Sequence, residues 1–395
     1  MYRLLTGLTA MLAVAACSPP AEEAVGDDVE GPIRIGATMS ETGAYATQGI
    51  PARDGYLLCA EDVNAAGGLL GREIEFVIHD DRSDTGTAIA LYEEMLTEGR
   101  VDAVMGPYGS TLTEAVAPVT ERHGMVQISP LAATSSIWEQ DREYLFMVLP
   151  PAELFLAGLI DMADERGLER VAVIAEDQLF PRAAAAGAAD MAAERDMTVV
   201  LHETYPSGTE DFSELIEAMA EGEVQVLAMA ASALDNFIDL TRQMKAMNVD
   251  MKMFGTSGAV SEFQQALGED AEYVYGLSAW EPGLPNPGSE EFVEAYERAY
   301  GRAPSFHAAG AYGSCQLFVE AAKRAGSLDQ DALREELLAL EMETVFGPYA
   351  VDERGYQVAN QGLFIQWQDG EKVVVWPEEL ATAEARYPTP PWQER

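Results

Sequence analysis

The sequence is poor in positive charge. Of its 395 residues, 24 are Lys or Arg and 67 are Asp or Glu, which gives a formal net charge of −43. Clustered Lys and Arg are what bind nucleic acid non-specifically or attract a protein to an anionic membrane, so this composition excludes both classes. Disorder is not indicated, because 48% of the residues are hydrophobic. The chain exceeds the roughly 250–300 residues at which one core usually divides, so we expect two lobes.

Histidine is also scarce. The four histidines are His79, His123, His202 and His307. They are far apart in sequence, contain no HExxH pair and have no cysteine partner, so a zinc site has little support. The acidic run at 79–84 does not form a calcium loop, because the third and twelfth positions, which need oxygen ligands, are occupied by Arg82 and Leu91. We therefore predict no metal site.

Motifs of the common enzyme classes are absent as well. The chain has no GxSxG elbow, no Walker loop and no GxGxxG fingerprint. Its glycine-rich segment at 67–71 precedes a predicted strand rather than a helix, which is the wrong context for a dinucleotide-binding turn. We predict neither a cofactor nor an enzymatic activity.

The N-terminal segment predicts export. Arg3 is followed by an apolar run at 8–16 that is too short to span a bilayer but is typical of a signal peptide, residues 1–16. Small residues directly before Cys17 resemble a bacterial lipobox, although an incidental cysteine after a plain signal peptide stays open. Residues 17–31 would then form a lipidated N-terminus and a flexible tether, which anchors the protein to a membrane of the cell envelope.

Two further cysteines, Cys59 and Cys315, lie inside helical patterns. We expect free buried thiols at these positions. In an exported protein they could also pair, but the sequence alone does not give the distance between them.

Short apolar runs alternate with amphipathic helices along most of the chain. The alternation runs through 33–126, starting with a strand at 33–39, and restarts after residue 151. Such alternation predicts parallel sheets covered by helices on both faces, here in two similar lobes. Strands at 363–368 and 372–376 around Asp369-Gly370 predict a terminal hairpin.

The segment 106–114 predicts a ligand-binding loop. Thr111 and Glu114 have the spacing of a capping box, which places a helix N-terminus directly after a strand at 101–105. Free backbone N–H groups and the helix dipole favour an anion there, and the Ser110 and Thr111 hydroxyls add donors. The alternative is that these hydroxyls only cap the helix.

Six segments together carry a resemblance to a known family. They are MSETG (39–43), NAAGGLLGR (64–72), HDD (79–81), GPYGS (106–110), ISPLAAT (128–134) and GLFIQW (362–367). Their order and spacing resemble those of type I periplasmic binding proteins, in particular the leucine/isoleucine/valine-binding group that serves ABC importers. The similarity covers roughly residues 32–376.

The resemblance implies an α/β fold of two doubly wound parallel-sheet lobes joined by a three-crossing hinge. The crossings fall near 147–151, 278–281 and 344–347. The N-terminal lobe would contain 32–149 and 281–343, and the C-terminal lobe 152–279 and 344–376, followed by a tail at 377–395. A small ligand is trapped between the lobes as the hinge closes.

The resemblance also implies a set of ligand-binding residues. In it, Ser110 and Thr134 supply hydroxyls, and Ala132 and Ala133 supply backbone groups, for the ligand's carboxylate and part of its ammonium. The remaining implied contacts are Tyr108, Phe180, Gln48, Tyr45, Ser232 and Ser257, and Trp280 and Trp138 are further candidates. For each aromatic residue, ordinary core packing is the alternative. Phe180 stands where many relatives have Tyr, so one hydroxyl is lost.

One departure from the family pattern concerns Ser257. Amino-acid binders of this group carry there the Glu that neutralises the α-ammonium, and serine offers only a neutral acceptor. An amino acid could still be bound if Asp81, Asp235 or Glu281 reached the site. Otherwise the ligand is an uncharged amide, a urea-like molecule or a carboxylate without an amine.

These features predict an extracytoplasmic substrate-binding lipoprotein of an ABC uptake system. It would deliver a small branched-chain-like amino acid, or a related carboxylate or amide, to permease subunits. The alternative is a ligand-sensing receptor of the same fold that signals to a membrane partner. Neighbouring permease and ATPase genes would favour uptake, and a neighbouring sensor kinase would favour signalling.

Overall fold

The first sheet is formed by parallel strands near the N-terminus. The computed structural model describes residues 31–99 and 101–395. Its first elements are β1 (Ile33–Met39), α1 (Ala46–Ala65), β2 (Ile74–Asp80), α2 (Thr85–Thr97), β3 (Ala103–Met105), α3 (Ser110–Arg122), β4 (Gln127–Ser129) and β5 (Leu145–Met147). The strand order is β2-β1-β3-β4-β5, with every neighbouring pair parallel. The predicted signal peptide and the lipidation site Cys17 lie outside the described residues.

The second sheet repeats this order. Its elements are α4 (Ala157–Glu165), β6 (Arg170–Glu176), α5 (Leu179–Glu194), β7 (Thr198–Tyr205), α6 (Ser213–Glu221), β8 (Val226–Ala230), α7 (Leu234–Met247), β9 (Met253–Thr256), α8 (Ser261–Leu267) and β10 (Tyr275–Ser278). The order β7-β6-β8-β9-β10 matches that of the first sheet. This repetition, together with the solved structures compared below, confirms the predicted α/β class with two doubly wound sheets.

The remaining elements complete both lobes. They are α9 (Ser289–Tyr300), α10 (Phe306–Ala325), α11 (Gln330–Ala339), β11 (Met342–Thr344), β12 (Gly347–Tyr349), β13 (Leu363–Gln368) and β14 (Glu371–Trp376). Helices α9 and α10 pack against α1 of the first lobe. Strands β13 and β14 form the predicted hairpin and extend the second sheet antiparallel to β10. The chain therefore passes between the two sheets after β5, after β10 and after α11.

The buried strands explain why this sequence forms parallel sheets. Strands β6 and β8 read RVAVIAE and VLAMA, and β8 is buried at every position. Such uninterrupted apolar runs suit strands that are covered by helices on both faces. Among the described residues, no helix combines the length and the hydropathy needed to cross a bilayer.

The expectation of free thiols at Cys59 and Cys315 is wrong. The two residues form a disulfide between α1 and α10, with their Cα atoms 6.4 Å apart. The two helices approach each other closely near the disulfide: a Cβ added to Gly55 would lie only 2.2 Å from the carbonyl oxygen of Ala308, so only glycine fits there. Two residues 256 positions apart in sequence thus meet in space, which sequence spacing did not reveal.

The tail beyond residue 376 packs on the second lobe. Trp392 is buried, its backbone N–H donates to Asp250 Oδ1 at 2.7 Å, and its indole N–H donates to the carbonyl of Val249 at 2.9 Å. Arg386 binds Asp369 in the β13–β14 turn. The tail therefore belongs to the folded unit formed by residues 32–395.

Candidate ligand-binding site

The strand order of each sheet places a crevice at a defined point. In a sheet of order 2-1-3-4-5, ligands bind outside the carboxyl ends of strands 1 and 3, where the connections turn to opposite faces. In the first lobe this switch point lies between β1 and β3, and in the second between β6 and β8. The loops after these four strands, together with the first turn of the helices that follow, carry six of the predicted site residues: Tyr45, Gln48, Tyr108, Ser110, Phe180 and Ser232.

One cavity lies where the two switch points meet, and it encloses about 60 Å³. Its polar lining consists of Gln48, Tyr108, Ser232, Ser257 and His307. Its apolar walls include Leu131, Leu149, Phe155, Phe180, Leu234, Phe237, Val260 and Phe306. Five of the predicted contacts, Gln48, Tyr108, Phe180, Ser232 and Ser257, thus converge on one enclosed and mainly apolar space.

Hydrogen bonds join the lobes directly across this cavity. Gln48 Nε2 and the Tyr108 hydroxyl, both of the first lobe, donate to the backbone carbonyl of Ser232 at 3.3 Å and 3.4 Å. Thr111 Oγ1 donates to Gln178 Oε1 at 3.1 Å. The structure is therefore a closed form, in which a single carbonyl of the second lobe accepts two donors of the first.

The predicted carboxylate-binding group lies beside the cavity. Ser110 Oγ accepts hydrogen bonds from the backbone N–H groups of Ala133 at 3.1 Å and Thr134 at 3.3 Å. Ser110, Ala132, Ala133 and Thr134 are all buried. Within residues 31–99 and 101–395, the buried Thr134 hydroxyl has no hydrogen-bond partner. Thr134 does not itself line the cavity, whereas Gly109 and Leu131, close to these residues in sequence, do.

The predicted capping box at Thr111 and Glu114 is wrong. Helix α3 begins one residue earlier, after Gly109, whose φ of 81° favours glycine. Thr111 instead binds Gln178 of the second lobe, and Glu114 pairs with Arg142 at 2.9 Å. The helix N-terminus is thus left uncapped by side chains of the described residues, next to Ser110.

Ser257 is already satisfied by the backbone. Its Oγ accepts from the N–H of Ala231 at 3.1 Å and donates to the carbonyl of the same residue at 3.3 Å. In the part of the chain that the structure describes, no carboxylate lines this cavity. An α-ammonium placed at Ser257 would therefore find no charged partner.

Of the three carboxylates that could replace the missing Glu at Ser257, two already have other partners. Asp81 accepts from the hydroxyls of Thr38 at 2.8 Å and Ser40 at 2.6 Å, and burial raises its pKa. Glu281 pairs with Lys372 at 2.6 Å. Asp235 lines a second cavity next to the first.

The aromatic candidates divide into two groups. Tyr45 packs on Tyr108 with ring centroids 5.4 Å apart, and Phe180 meets Phe155 edge to face at 5.0 Å. Tyr45 lines the second cavity rather than the first. Trp280 packs edge to face on Phe292 in the core and does not line the cavity.

His307, at the start of α10, was not predicted to be a site residue. It is buried beside Phe306, and burial together with the charge of Lys372 lowers its pKa to about 3. Its imidazole is therefore neutral at physiological pH, and Nδ1 has no hydrogen-bond partner among the described residues. In the sequence, His307 is one of four histidines that lie far apart. Nothing local indicates a site residue, because only the tertiary fold brings α10 to the cavity.

The described residues contain no group of three His, Cys, Asp or Glu side chains that could hold a metal ion. The cavity's polar atoms are a carboxamide, hydroxyls, an imidazole and backbone groups, which suit hydrogen bonding to a small organic molecule.

Comparisons with known proteins agree with this geometry. A family model described as periplasmic binding protein matches residues 32–372. The Leu/Ile/Val-binding protein homolog 7 of Brucella suis biovar 1 is 26% identical over 398 residues, covering 95% of this chain and 98% of the relative.

Solved structures show the same architecture. The branched-chain amino acid transporter substrate binding protein LivJ from Streptococcus pneumoniae, in complex with isoleucine, has a TM-score of 0.78 and 25% identity, covering 88% of this chain and all of that one. A solute binding protein from R. palustris in complex with benzoate has a TM-score of 0.78 and 19% identity, covering 87% and 96%. The chain belongs to the periplasmic binding protein family, whose members bind substrates without transforming them.

Proposed function

We propose that this protein is the extracytoplasmic substrate-binding lipoprotein of an ABC uptake system. It traps a small organic ligand between its lobes and delivers the ligand to permease subunits. The observation that carries the proposal is the enclosed cavity at the meeting point of the two switch points, which five predicted contact residues line. Family membership supports binding in the periplasm rather than catalysis.

Closure of the lobes follows from the contacts across the cavity. Gln48 and Tyr108 both reach the Ser232 carbonyl, so separating the lobes exposes two donors and one acceptor to water. Three chain crossings connect the lobes, which suits a hinge that absorbs small backbone changes. A ligand that fits the cavity favours the closed form and thereby presents both lobes to the permease.

The ligand has an apolar body and an acidic end. The apolar walls suit a branched aliphatic or aromatic group, which gains about 25 cal/mol for each Å² of buried apolar surface. The acidic end fits the uncapped N-terminus of α3, where Ser110, the Thr134 hydroxyl and the helix dipole favour an anion. A branched-chain-like amino acid or a related carboxylate or amide meets both requirements.

Thermal unfolding with added ligands tests the proposal. Branched-chain amino acids, amides, urea and aromatic acids are added to the mature protein, and at least one is expected to raise Tm by mass action. The rise should disappear in Ser110→Ala and Thr134→Ala, because each removes a hydroxyl from the anion-binding end. Thr198→Ala, an exposed change on β7, is the matched control. No rise with any compound would contradict the proposed function.

Lipid anchoring requires its own test. Cells that express the full chain and are fed radioactive palmitate should label the wild-type protein, and Cys17→Ala should remain unlabelled because only a thiol at this position accepts the lipid. Equal labelling of Cys17→Ala would contradict the anchor. It would leave the ligand-binding role untouched.

A further inference from the structure

A second cavity, of about 500 Å³, opens beside the first. Ala44 and Tyr45 of the first lobe line one side of it, and the ends of β6 and β8 in the second lobe form the other. The two cavities share a boundary: Tyr45 of the second packs on Tyr108 of the first, and Ser232 of the first binds Glu176 of the second. These contacts make the two cavities neighbours, separated by the packed rings of Tyr45 and Tyr108 and by Ser232.

The second cavity contains a buried carboxylate. Glu176, the last residue of β6, is only 3% exposed, and its Oε2 accepts from the backbone N–H of Ser232 at 2.8 Å. Among the described residues it forms no ion pair with Lys, Arg or His. A buried charge without a counter-charge is costly, so native proteins usually pair it. Glu176 therefore lacks the positively charged partner that buried carboxylates usually have.

An amide with an unpartnered oxygen lines the same cavity. Asn236, at the start of α7, is 5% exposed and lines the second cavity. Its Nδ2 donates to the carbonyl of Ala233 at 3.4 Å, whereas its Oδ1 accepts no hydrogen bond from any described residue. A buried acceptor without a donor costs about 1–3 kcal/mol, so this atom too lacks a partner.

The surrounding groups select for a cation. Asp235 and Asp239 line the same cavity, and burial raises the pKa of Asp239 with a further contribution from the charge of Asp235. Burial, and then the charge of Glu176, raises the pKa of Tyr45 to about 12. The field is thus negative, and the carboxylates of Asp235 and Asp239 are acceptors, whereas the Tyr45 hydroxyl can also donate.

We propose that Glu176 and Asn236 bind an ammonium or guanidinium group of the ligand, and so supply the counter-charge that is missing at Ser257. The inference rests on the proposed function and adds the position and sign of the ligand's second charge. The cation is organic rather than a metal ion, because the described residues hold no set of three metal-binding side chains. The ligand then spans from the anion-binding end at Ser110 to the acidic cavity.

Matched ligand pairs test this inference. Calorimetric titration compares leucine with 4-methylpentanoate, phenylalanine with 3-phenylpropanoate, and 5-aminopentanoate with pentanoate, since each pair differs by one ammonium group. The wild-type protein should bind the ammonium-bearing member of at least one pair tenfold or more tightly. In Glu176→Gln and in Asn236→Leu that preference should fall to threefold or less.

Glu217→Gln, on the exposed face of α6, removes the same charge outside both cavities and should keep the full preference. A tenfold preference that persists in Glu176→Gln and Asn236→Leu overturns the inference. So does equal or tighter binding of the deaminated members, although that result leaves the proposed function standing. Failure of every compound to bind the wild-type protein overturns both.

Discussion

The two switch points have the same strand order but opposite chemistry. In the first lobe, the loop after β3 offers the Ser110 hydroxyl and a helix N-terminus, which favour an anion. In the second lobe, β6 ends in the buried carboxylate of Glu176, and Asn236 at the start of α7 lines the same cavity. We therefore expect the shared fold to determine where a ligand binds, and the residues that follow strands 1 and 3 of each sheet to determine which end of the ligand faces which lobe.

The lobes also differ in how they are held together. The disulfide Cys59–Cys315 ties α1 to α10 in the first lobe, and the described part of the second lobe contains no cysteine. The first lobe is the more constrained of the two, and it presents His307 from the same helix that carries the disulfide. The second lobe depends on its apolar strands and on the docked tail.

Of the changes considered, removal of the disulfide should have the largest effect on stability, and it tests whether the first lobe is the more constrained. Cys59→Ala combined with Cys315→Ala should lower the free energy of unfolding by about 4 kcal/mol, because a long loop is no longer closed in the unfolded chain. Calorimetric melting with and without a reductant measures this. The double variant should be insensitive to reductant. If wild type and variant melt alike, the first lobe is not covalently constrained.

Acid should weaken the first lobe through His307. Its folded pKa of about 3 lies below the unfolded value of 6.5, so as the pH falls the unfolded chain binds the proton first. The stability from this group is complete above pH 6.5 and is lost progressively toward pH 3. The loss amounts to at most about 2 kcal/mol at pH 5.

The measurement compares urea unfolding of wild type and His307→Gln between pH 4 and 8. The variant should show a shallower decline on the acid side, and His202→Gln, on an exposed part of β7, should behave as wild type. Identical pH profiles for wild type and His307→Gln would contradict the burial of a neutral imidazole.

Much of the fold follows from local patterns, whereas the site depends on contacts between distant segments. Apolar runs such as β6 and β8 predict parallel strands, because burial on both faces leaves a continuous signal. Strands β5 and β10, with three and four residues, were not predicted, although β3, also of three residues, lies inside the predicted strand at 101–105. The disulfide was missed for a related reason, since helix patterns do not report which helices meet.

The family resemblance indicated five residues that line the first cavity, but not Glu176 or His307. Glu176 reads in sequence as an ordinary acidic residue among 67, and only its burial at the second switch point distinguishes it. Its position at the end of strand 1 of a doubly wound sheet was the one available signal. The sequence showed that a carboxylate is missing at Ser257, but the proposed replacement, Glu176, could be identified only from the tertiary fold.

Neutralising the second switch point should stabilise the empty protein. Glu176→Gln keeps an acceptor for the Ser232 N–H but removes an unpaired buried charge, so the free energy of unfolding without ligand should rise by about 1 kcal/mol. Chemical denaturation of ligand-free protein measures the change, with Glu217→Gln as the control. A loss of stability would mean that Glu176 has a structural partner.

The smallest expected effect concerns the contacts between the lobes. Gln48→Ala removes one of the two donors to the Ser232 carbonyl, so it should weaken ligand binding by about 0.5–1.5 kcal/mol, or two- to tenfold. Tyr108→Phe removes the other donor, and the double variant should lose more than either single variant. Titration with the ligand found in the thermal screen measures this. Unchanged affinity in the double variant would show that these two hydrogen bonds do not contribute to closure of the lobes around the ligand.

A crystal structure of the wild-type protein with the small molecule that co-purifies with it tests the opposite polarity of the two switch points most directly. The predicted result is a ligand whose acidic group contacts Ser110 and Thr134, whose apolar body fills the first cavity, and whose cationic group contacts Glu176 and Asn236. A ligand with its cationic group at Ser257, or one bound outside the two cavities, would contradict it.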